Sequence, residues 1–482
     1  MSVTFSWSVL GGIAVGLFIG IVFGSIPGLT ATLGIALFLP FIYGLAPVTA
    51  FAILLSLVSA VHTSNTFPAF FFNVPGSPSA AATILDGYPM AKKGEAAKGL
   101  TAAFTVSAIG GIIGALVLLL LLPALQPLVL MFASPERFML VVVGLVMISF
   151  LSGERPIKGL LAGVLGLLLG TIGWDPQLGI PRYTFGQDYF LEGLSLVPLV
   201  MGLFALPEVI ALAVRGRIAE KTSVDMGSGF VPGLREAFRH WLLVLQSSFI
   251  GVIGGAIPGI GGTASAFYAY GFAVQAAKDN EREEFGKGDV RGVIAPESAN
   301  NASAGGELIP TLAFGIPGGA TSAMLLAAFL ILGVTPGPSM LNEHLWLSFS
   351  MVFILVVSNL AATGICIVVT RWAARIAWIR GSLLIPAILM FVLFGAYASY
   401  PHPGTLVLTL LFGVLGYIMM RSEWPRVPLL IGFILGPLSE NFLFISMTSY
   451  GLAFLLRPIP VALLLLTLAI LAYGLAGGRK KE

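Results

Sequence analysis

The sequence predicts an all-α polytopic membrane protein built as two inverted-topology repeats with re-entrant or Pro-Gly-broken helices. About 10 to 12 spans are expected, since one span needs ~20 apolar residues. Three observations carry this. The 482-residue chain is 57% hydrophobic and only 10% charged, against roughly 25% charged in soluble domains, so water cannot solvate its surface and a lipid bilayer is its first partner. Its 59 glycines and 30 prolines lie largely inside apolar segments. Helices broken in this way survive at membrane depth only where protein or a water-filled cavity satisfies the freed backbone groups. Finally, a Pro-Gly-centred pattern occurs twice, in the same order, in the two halves.

Taken along the chain, apolar segments lie near residues 7–43, 48–85, 99–123, 127–150, 159–173 and 191–214. The polar, basic stretch Arg215 to His240 reads as a connector between two membrane halves. The second series runs through 241–277, a charged loop to Arg291, and then 292–332, 345–370, 382–399, 405–420, 427–445 and 459–476. The expected organisation is a first membrane repeat over 1–214, a cytoplasmic connector over 215–240, a second repeat over 241–458, and a final span with a basic tail over 459–482. The first apolar stretch has no basic region before it and runs into a motif-bearing segment, so it reads as part of the mature chain. A net charge of +3 is too small to suggest nucleic-acid binding. The single cysteine, Cys366, excludes an intrachain disulfide and a thiolate cage and reads as a small packing residue.

The repeat appears when GIVFGSIPGLTATLGIALFLP, from Gly20, is set over GVIGGAIPGIGGTASAFYAYG, from Gly251. Gly24 and Pro27 then fall on Gly255 and Pro258. A second match sets FPAFFFNVPGSPSAAATIL, from Phe67, over IPTLAFGIPGGATSAMLLA, from Ile309, pairing Pro68 with Pro310 and Pro75 with Pro317. The register slips by eleven residues between the matches, and the charged insert Lys278 to Arg291, absent from the first half, accounts for it.

Loop charge orients the halves, because short loops rich in Lys and Arg stay in the cytoplasm. In the first half the loop from Tyr43 to Pro47 has no basic residue, while the loop after the second motif carries Lys92, Lys93 and Lys98. The second half reverses this, with Lys278, Arg282, Lys287 and Arg291 after the first motif and no Lys or Arg in VTPGPSMLNEH after the second. Corresponding loops are therefore expected on opposite sides, with the N-terminus outside. The connector, Arg371, Arg375, Arg380, Arg421, Arg426 and the C-terminal tail are expected in the cytoplasm, and Arg182 and Arg457 outside. Residues 7–43 and 241–277 must then each enter and leave on one side, as a re-entrant hairpin or a helical pair bent at the Pro-Gly.

Inverted repeats with interruptions in matching places describe many secondary transporters, whose sites lie near the midplane at the repeat interface. After Pro27-Gly28 and Pro258-Gly259, new helices would begin with free backbone N–H groups. Thr30 and Thr32 lie beside them in one half, and Gly261, Gly262, Thr263 and Ser265 in the other. Such a terminus attracts an anion. The competing reading is that these glycines only let helices pack closely. A second constellation precedes the other Pro-Gly pair: His62, Thr63, Ser64, Asn65 and Thr66, against Glu297, Asn300, Asn301, Ser303 and Glu307. Side-chain oxygens with carbonyls of an unwound helix are what Na+ needs. Glu307, a carboxyl at membrane depth, would take Na+ or H+. The alternative is that Glu297 and the asparagines cap a helix near the cytoplasmic loop.

At these residues the chain resembles the large membrane subunit of the tripartite tricarboxylate transporters over most of its length. The resemblance rests on GSIPGLTATLGIALFLPF, VPGSPSAAATILDGYPMAKKGEA, GAIPGIGGTASAF, APESANNASAGG and TPGP. It implies a symporter of the bacterial inner membrane that receives a carboxylate from a periplasmic substrate-binding protein and works with a small four-span membrane subunit. The chain departs from the family pattern at Thr63 to Thr66, where a Gly-Gly-Ser element is usual, and at Glu307, where a small residue is usual. Both departures touch the expected site and so bear on the substrate and the coupling ion.

Other classes are weighed by what the sequence lacks. It contains no GxxxxGK[ST] phosphate loop. His62, His240, His344 and His402 show no HExxH or paired spacing for a metal or nucleophilic centre, so an enzyme is not expected. A channel would share the broken helices and stays open as the alternative.

Overall fold

The computed structural model describes residues 6–151, 155–175, 177–215, 229–376 and 381–478. Almost all of this is helix. The only sheet among the described residues is the two-stranded pair β1 (Gly173–Trp174) and β2 (Pro181–Arg182).

The first half opens with α1 (Trp7–Ser25), a break, and α2 (Ala31–Phe38). α3 (Pro47–Ser64) is separated from the short α4 (Thr66–Phe72) by the kink residue Asn65. α5 (Ala81–Lys92), α6 (Ala96–Leu130), α7 (Ser134–Leu151) and α8 (Pro156–Gly170) follow. After the β1–β2 loop come α9 (Leu196–Val200), a π-helical turn Met201–Ala205, and α10 (Leu206–Arg215).

The second half begins with α11 (Phe230–Arg239) and then repeats the opening: α12 (Trp241–Ala256), a break, and α13 (Gly261–Ala276). The one-turn α14 (Asp279–Arg282) lies in the charged insert, followed by α15 (Arg291–Phe314) and α16 (Ala320–Ile331). α17 (Pro338–Leu341), α18 (Leu345–Ile376), α19 (Gly381–Ser399), α20 (Pro403–Arg421), α21 (Arg426–Tyr450) and α22 (Pro458–Gly478) complete the chain.

The two breaks have one cause. A residue before proline is pushed out of the α region, and Ile26 (φ −108°, ψ 117°) and Ile257 (φ −89°, ψ 115°) both end their helices in extended backbone before Pro27 and Pro258. Gly28 and Gly259 then both turn at φ 91°, where a side chain would be strained. The second motif repeats the same economy of geometry. α4 and α15 end in left-handed caps at register-equivalent residues, Asn73 (φ 54°) and Gly315 (φ 68°).

Packing repeats residue by residue. A Cβ on Gly24 would meet the carbonyl of Val61 on α3, and one on Gly255 would meet the carbonyl of the equivalent Ser303 on α15. Likewise Gly76 lies against Gly24 O and the backbone of Asn65, as Gly318 lies against Gly255 O and the backbone of Glu307. Small residues thus bring α1 onto α3 and α12 onto α15 at backbone contact, the approach that holds helices together without a hydrophobic driving force.

The charged insert is built into the fold rather than left as a loop. Asp86, fully buried on α5, accepts hydrogen bonds from Gly288 N (2.8 Å), Asp289 N (2.9 Å) and Tyr270 Oη (3.0 Å). Within the insert Arg291 pairs with Glu281 and Asp289, both at 2.6 Å.

By length and composition, seven described helices can cross a membrane, or eight if α11 and α12, bent by 73°, form one span. Five shorter apolar helices accompany them. The chain is therefore a multi-pass membrane protein. One expected boundary moves. The apolar stretches near 99–123 and 127–150 do not part near Gln126, because α6 runs through Pro123 and Pro127 to Leu130. Gln126 is polar because its amide reaches Asn342 Oδ1 at 2.6 Å. Within the expected connector, residues 216–228 lie outside the described residues, and 230–239 form α11, seated on α6 where Gly229 and Gly233 meet Lys98. Arg380 and the RKK tail also lie outside the described residues.

Candidate functional site

Four turns that the repeat pairs with one another line a single cavity of about 1170 Å³. Residues 30–33 at the start of α2 and their register equivalents 261–264 at the start of α13 contribute one pair. Residues 77–79 after the first VPG and their equivalents 319–321 after IPG contribute the other. Further wall comes from, among others, His62 on α3, Phe204 on the π-turn, Glu208 on α10, Glu307 on α15, and Met420, Trp424 and Arg426 where α20 passes to α21.

The helix starts differ in how their N–H groups are used. Thr30 caps α2 through its own hydroxyl, which accepts from Leu33 N at 3.2 Å. α13 begins without a side-chain cap. Glu307 lies instead between the starts of α13 and α16: its Oε2 accepts from Ser322 N at 3.2 Å, and its Oε1 is 3.5 Å from where a Cβ on Gly261 would stand. A carboxylate here faces the positive ends of two helices. At the equivalent place in the first half, Asn65 Nδ2 donates to Ser77 Oγ (2.6 Å) and Ser79 Oγ (3.3 Å).

The amides continue across the two halves. Asn300 Nδ2 donates to His62 O (3.1 Å), and Asn301 Nδ2 to Thr63 Oγ1 (3.1 Å) and Asn359 Oδ1 (2.9 Å). Among the described residues, Asn65 Oδ1, Asn300 Oδ1, Asn301 Oδ1 and His62 Nδ1 are buried without a hydrogen-bond partner. Amide oxygens of this kind are donors that the shell of a hard cation can use. No three His, Cys, Asp or Glu gather around one point among the described residues, so such a shell would be drawn chiefly from amide, hydroxyl and carbonyl oxygens.

Of the residues expected to receive an anion, Thr30, Thr32, Gly259, Gly261, Gly262 and Thr263 line the cavity. Pro27, Gly28 and Pro258 shape the turns without lining it, and Gly259 N is taken by Gly318 O at 2.8 Å rather than free. Ser265 bonds back to Gly261 O (2.6 Å) and is buried against Gly254. Of the expected ion-coupling residues, Glu307 reaches the cavity wall. Ser303 Oγ bonds Asn300 O (2.7 Å) under Gly262. Ser64 bonds Ala60 O (2.7 Å) and Gly20 O (3.2 Å), and Thr66 bonds Thr63 O (3.0 Å), so both hydroxyls serve the helix pair itself. Glu297 is fully buried between Thr83 Oγ1 (2.6 Å) and Ser107 Oγ (3.2 Å), both of which donate to its carboxyl. Sequence reasoning missed Ser77, Ser79, Glu208 and Arg426. The two serines could have been found, since they follow a matched Pro-Gly directly. Glu208 and Arg426 carry no local signal, because they meet only through the fold.

The family described as "Tripartite tricarboxylate transporter TctA family" matches residues 10–431. The chain is 33% identical over 468 residues to an "Uncharacterized 52.8 kDa protein in TAR-I ttuC' 3'region" of Agrobacterium vitis, covering 96% of this chain and 92% of that one. An "Uncharacterized protein in TAR-II ttuC' 3'region" of the same organism is 33% identical over 223 residues, 46% of this chain and 91% of that one. No solved structure matches the chain.

Proposed function

Because the chain belongs to the tripartite tricarboxylate transporter TctA family, we propose that it is the translocating permease subunit of a binding-protein-dependent secondary transporter. Membership makes it a transporter component that works with partner subunits and a substrate-binding protein. The finer reading is ours: import of a small organic anion of the di- or tricarboxylate class by cation symport, with a small four-span membrane subunit and a periplasmic substrate-binding protein. The proposed setting is the bacterial inner membrane, with the N-terminus outside, the C-terminus cytoplasmic and the repeats inverted.

The observation that carries this reading is the convergence of four register-equivalent turns on one cavity. Substrate sites at a repeat interface formed by interrupted helices are the common plan of secondary transporters. Charge supports the coupling. Glu208 and Glu307 line the cavity against one guanidinium, Arg426, so an entering anion would add to a negative excess unless a cation came with it. Na+ or H+ at Glu307, with Asn65, Asn300 and Asn301 contributing amide oxygens, would supply that balance. A carrier also differs from a channel in outcome: accumulation of labelled citrate or succinate against its gradient, driven by imposed sodium or proton gradient and dependent on the binding protein, is expected. Uptake that only equilibrates, whatever ion gradient is imposed, would make the chain a channel.

A further inference from the structure

We propose that Arg426 is the fixed counter-charge for the transported anion, held by Glu208 until a substrate carboxylate competes for it. The proposal rests on the carrier reading above and adds a residue pair to that cavity. Arg426 is the only Lys or Arg among the described residues that line the cavity. Its Nη2 donates to Glu208 Oε1 at 2.9 Å, its Nη1 to Leu203 O at 3.2 Å, and the guanidinium lies 5.4 Å from the centre of the Phe204 ring. These contacts fix the side chain while using two of its five N–H donors, which leaves a planar fork for a carboxylate.

Helix stability does not explain the position. Arg426 is the first residue of α21, and a cation at a helix N-terminus opposes the helix dipole. The partners holding it, Leu203, Phe204 and Glu208, sit on and just after the π-helical turn Met201–Ala205, a form of helix found frequently at functional sites. The four repeated turns and Arg426 border the same space, so an anion entering it can meet both the helix starts and this guanidinium.

Exchange of one carboxylate for another is electrostatically mild. When a substrate carboxylate displaces Glu208, Arg426 never loses a negative partner, so no unpaired buried charge appears. Glu208 is 26% exposed and stays hydrated from the cavity. An internal competitor also keeps binding weak enough for release, which a carrier needs as much as capture.

The test is ligand-induced thermal stabilisation of the purified full chain, titrated with citrate, succinate and acetate, for the unaltered protein and for Glu208→Gln, Arg426→Gln and Arg426→Lys. Removing the competitor should tighten carboxylate binding in Glu208→Gln by about tenfold, equivalent to ~1.4 kcal/mol. Arg426→Gln should weaken it by about tenfold or more, with Arg426→Lys between the two. The opposite directions are the discriminating result, because a purely structural ion pair would make both glutamine variants weaken binding alike. Equal losses in both, or no change in either, overturns the proposal. Gly259→Leu separates it from the site reading: binding lost in Gly259→Leu but indifferent to the charge variants sinks only the role of Arg426. If no carboxylate stabilises the unaltered chain, both fall.

Discussion

Asn65 and Glu307 hold one position in a repeated framework, each beside the glycine of the second-motif Pro-Gly in its half, Gly76 and Gly318, yet one is an amide and the other a carboxyl. Gly76 packs on the backbone of Asn65 and Gly318 on that of Glu307. Asn65 donates to Ser77 and Ser79, whereas Glu307 accepts from Ser322 N. The same local frame therefore presents an amide donor in one half and a carboxyl acceptor in the other. The repeat supplies the shape, and differences such as this one give the two halves different chemistry.

That difference predicts where coupling resides. If Glu307 binds sodium, Glu307→Gln should weaken sodium activation of uptake about tenfold, ~1.4 kcal/mol. If it carries a proton, the same change should flatten the pH dependence of uptake and leave exchange intact. Uptake assays with wild-type sodium activation and wild-type pH dependence would remove both roles and leave Glu307 as the cap of α16.

The paired turns predict a backbone-limited site. Gly28 and Gly259 both sit at φ 91°, where a side chain costs roughly 1–2 kcal/mol. Replacing either by leucine should abolish carboxylate binding while the chain still inserts, as read by membrane fractionation and ligand-dependent thermal stability. Unaltered affinity in both variants would take these turns out of the site.

The insert predicts a measurable latch. Asp86 collects two backbone N–H groups and one tyrosine hydroxyl, and a hydrogen bond to a charged group contributes about 1.5–3 kcal/mol net. Asp86→Asn should lower thermal stability and speed amide exchange at Gly288 and Asp289 above all other positions. Exchange that rises equally across the molecule would mean that Asp86 does not hold the insert specifically.

Loop charge predicts the inversion that the repeat implies. Cysteines placed near Lys93 and Lys287 should react with an impermeant thiol reagent only from the cytoplasm, and those near Ala46 and Ser339 only from outside. Labelling of Ala46 and Lys287 from the same side would mean that the two halves are not inverted.

Much of this was legible in the sequence because it is local. Apolar composition dictates a lipid-facing helical chain. A residue before proline leaves the helix wherever it stands, so IPG ends α1 and α12 alike and the two breaks can be read without a fold. Repetition then pairs Thr30 with Gly261 and Asn65 with Glu307 before any contact is known.

What only the tertiary structure decided is which groups meet across long stretches of chain. Residue spacing did not say that the hydroxyls of Ser64 and Ser265 would turn back onto their own helix carbonyls, or that Gly259 N would be taken by Gly318 O. Nor did it say that the eleven-residue slip houses a latch for Asp86, or that Arg426 and Glu208 would close the cavity wall together. Hydrogen bonds and ion pairs between distant segments depend on how close small residues let helices approach, as at Gly24 against Val61 and Gly255 against Ser303. That closeness is a property of the packed assembly, because a glycine only permits the approach and its partner helix decides what arrives.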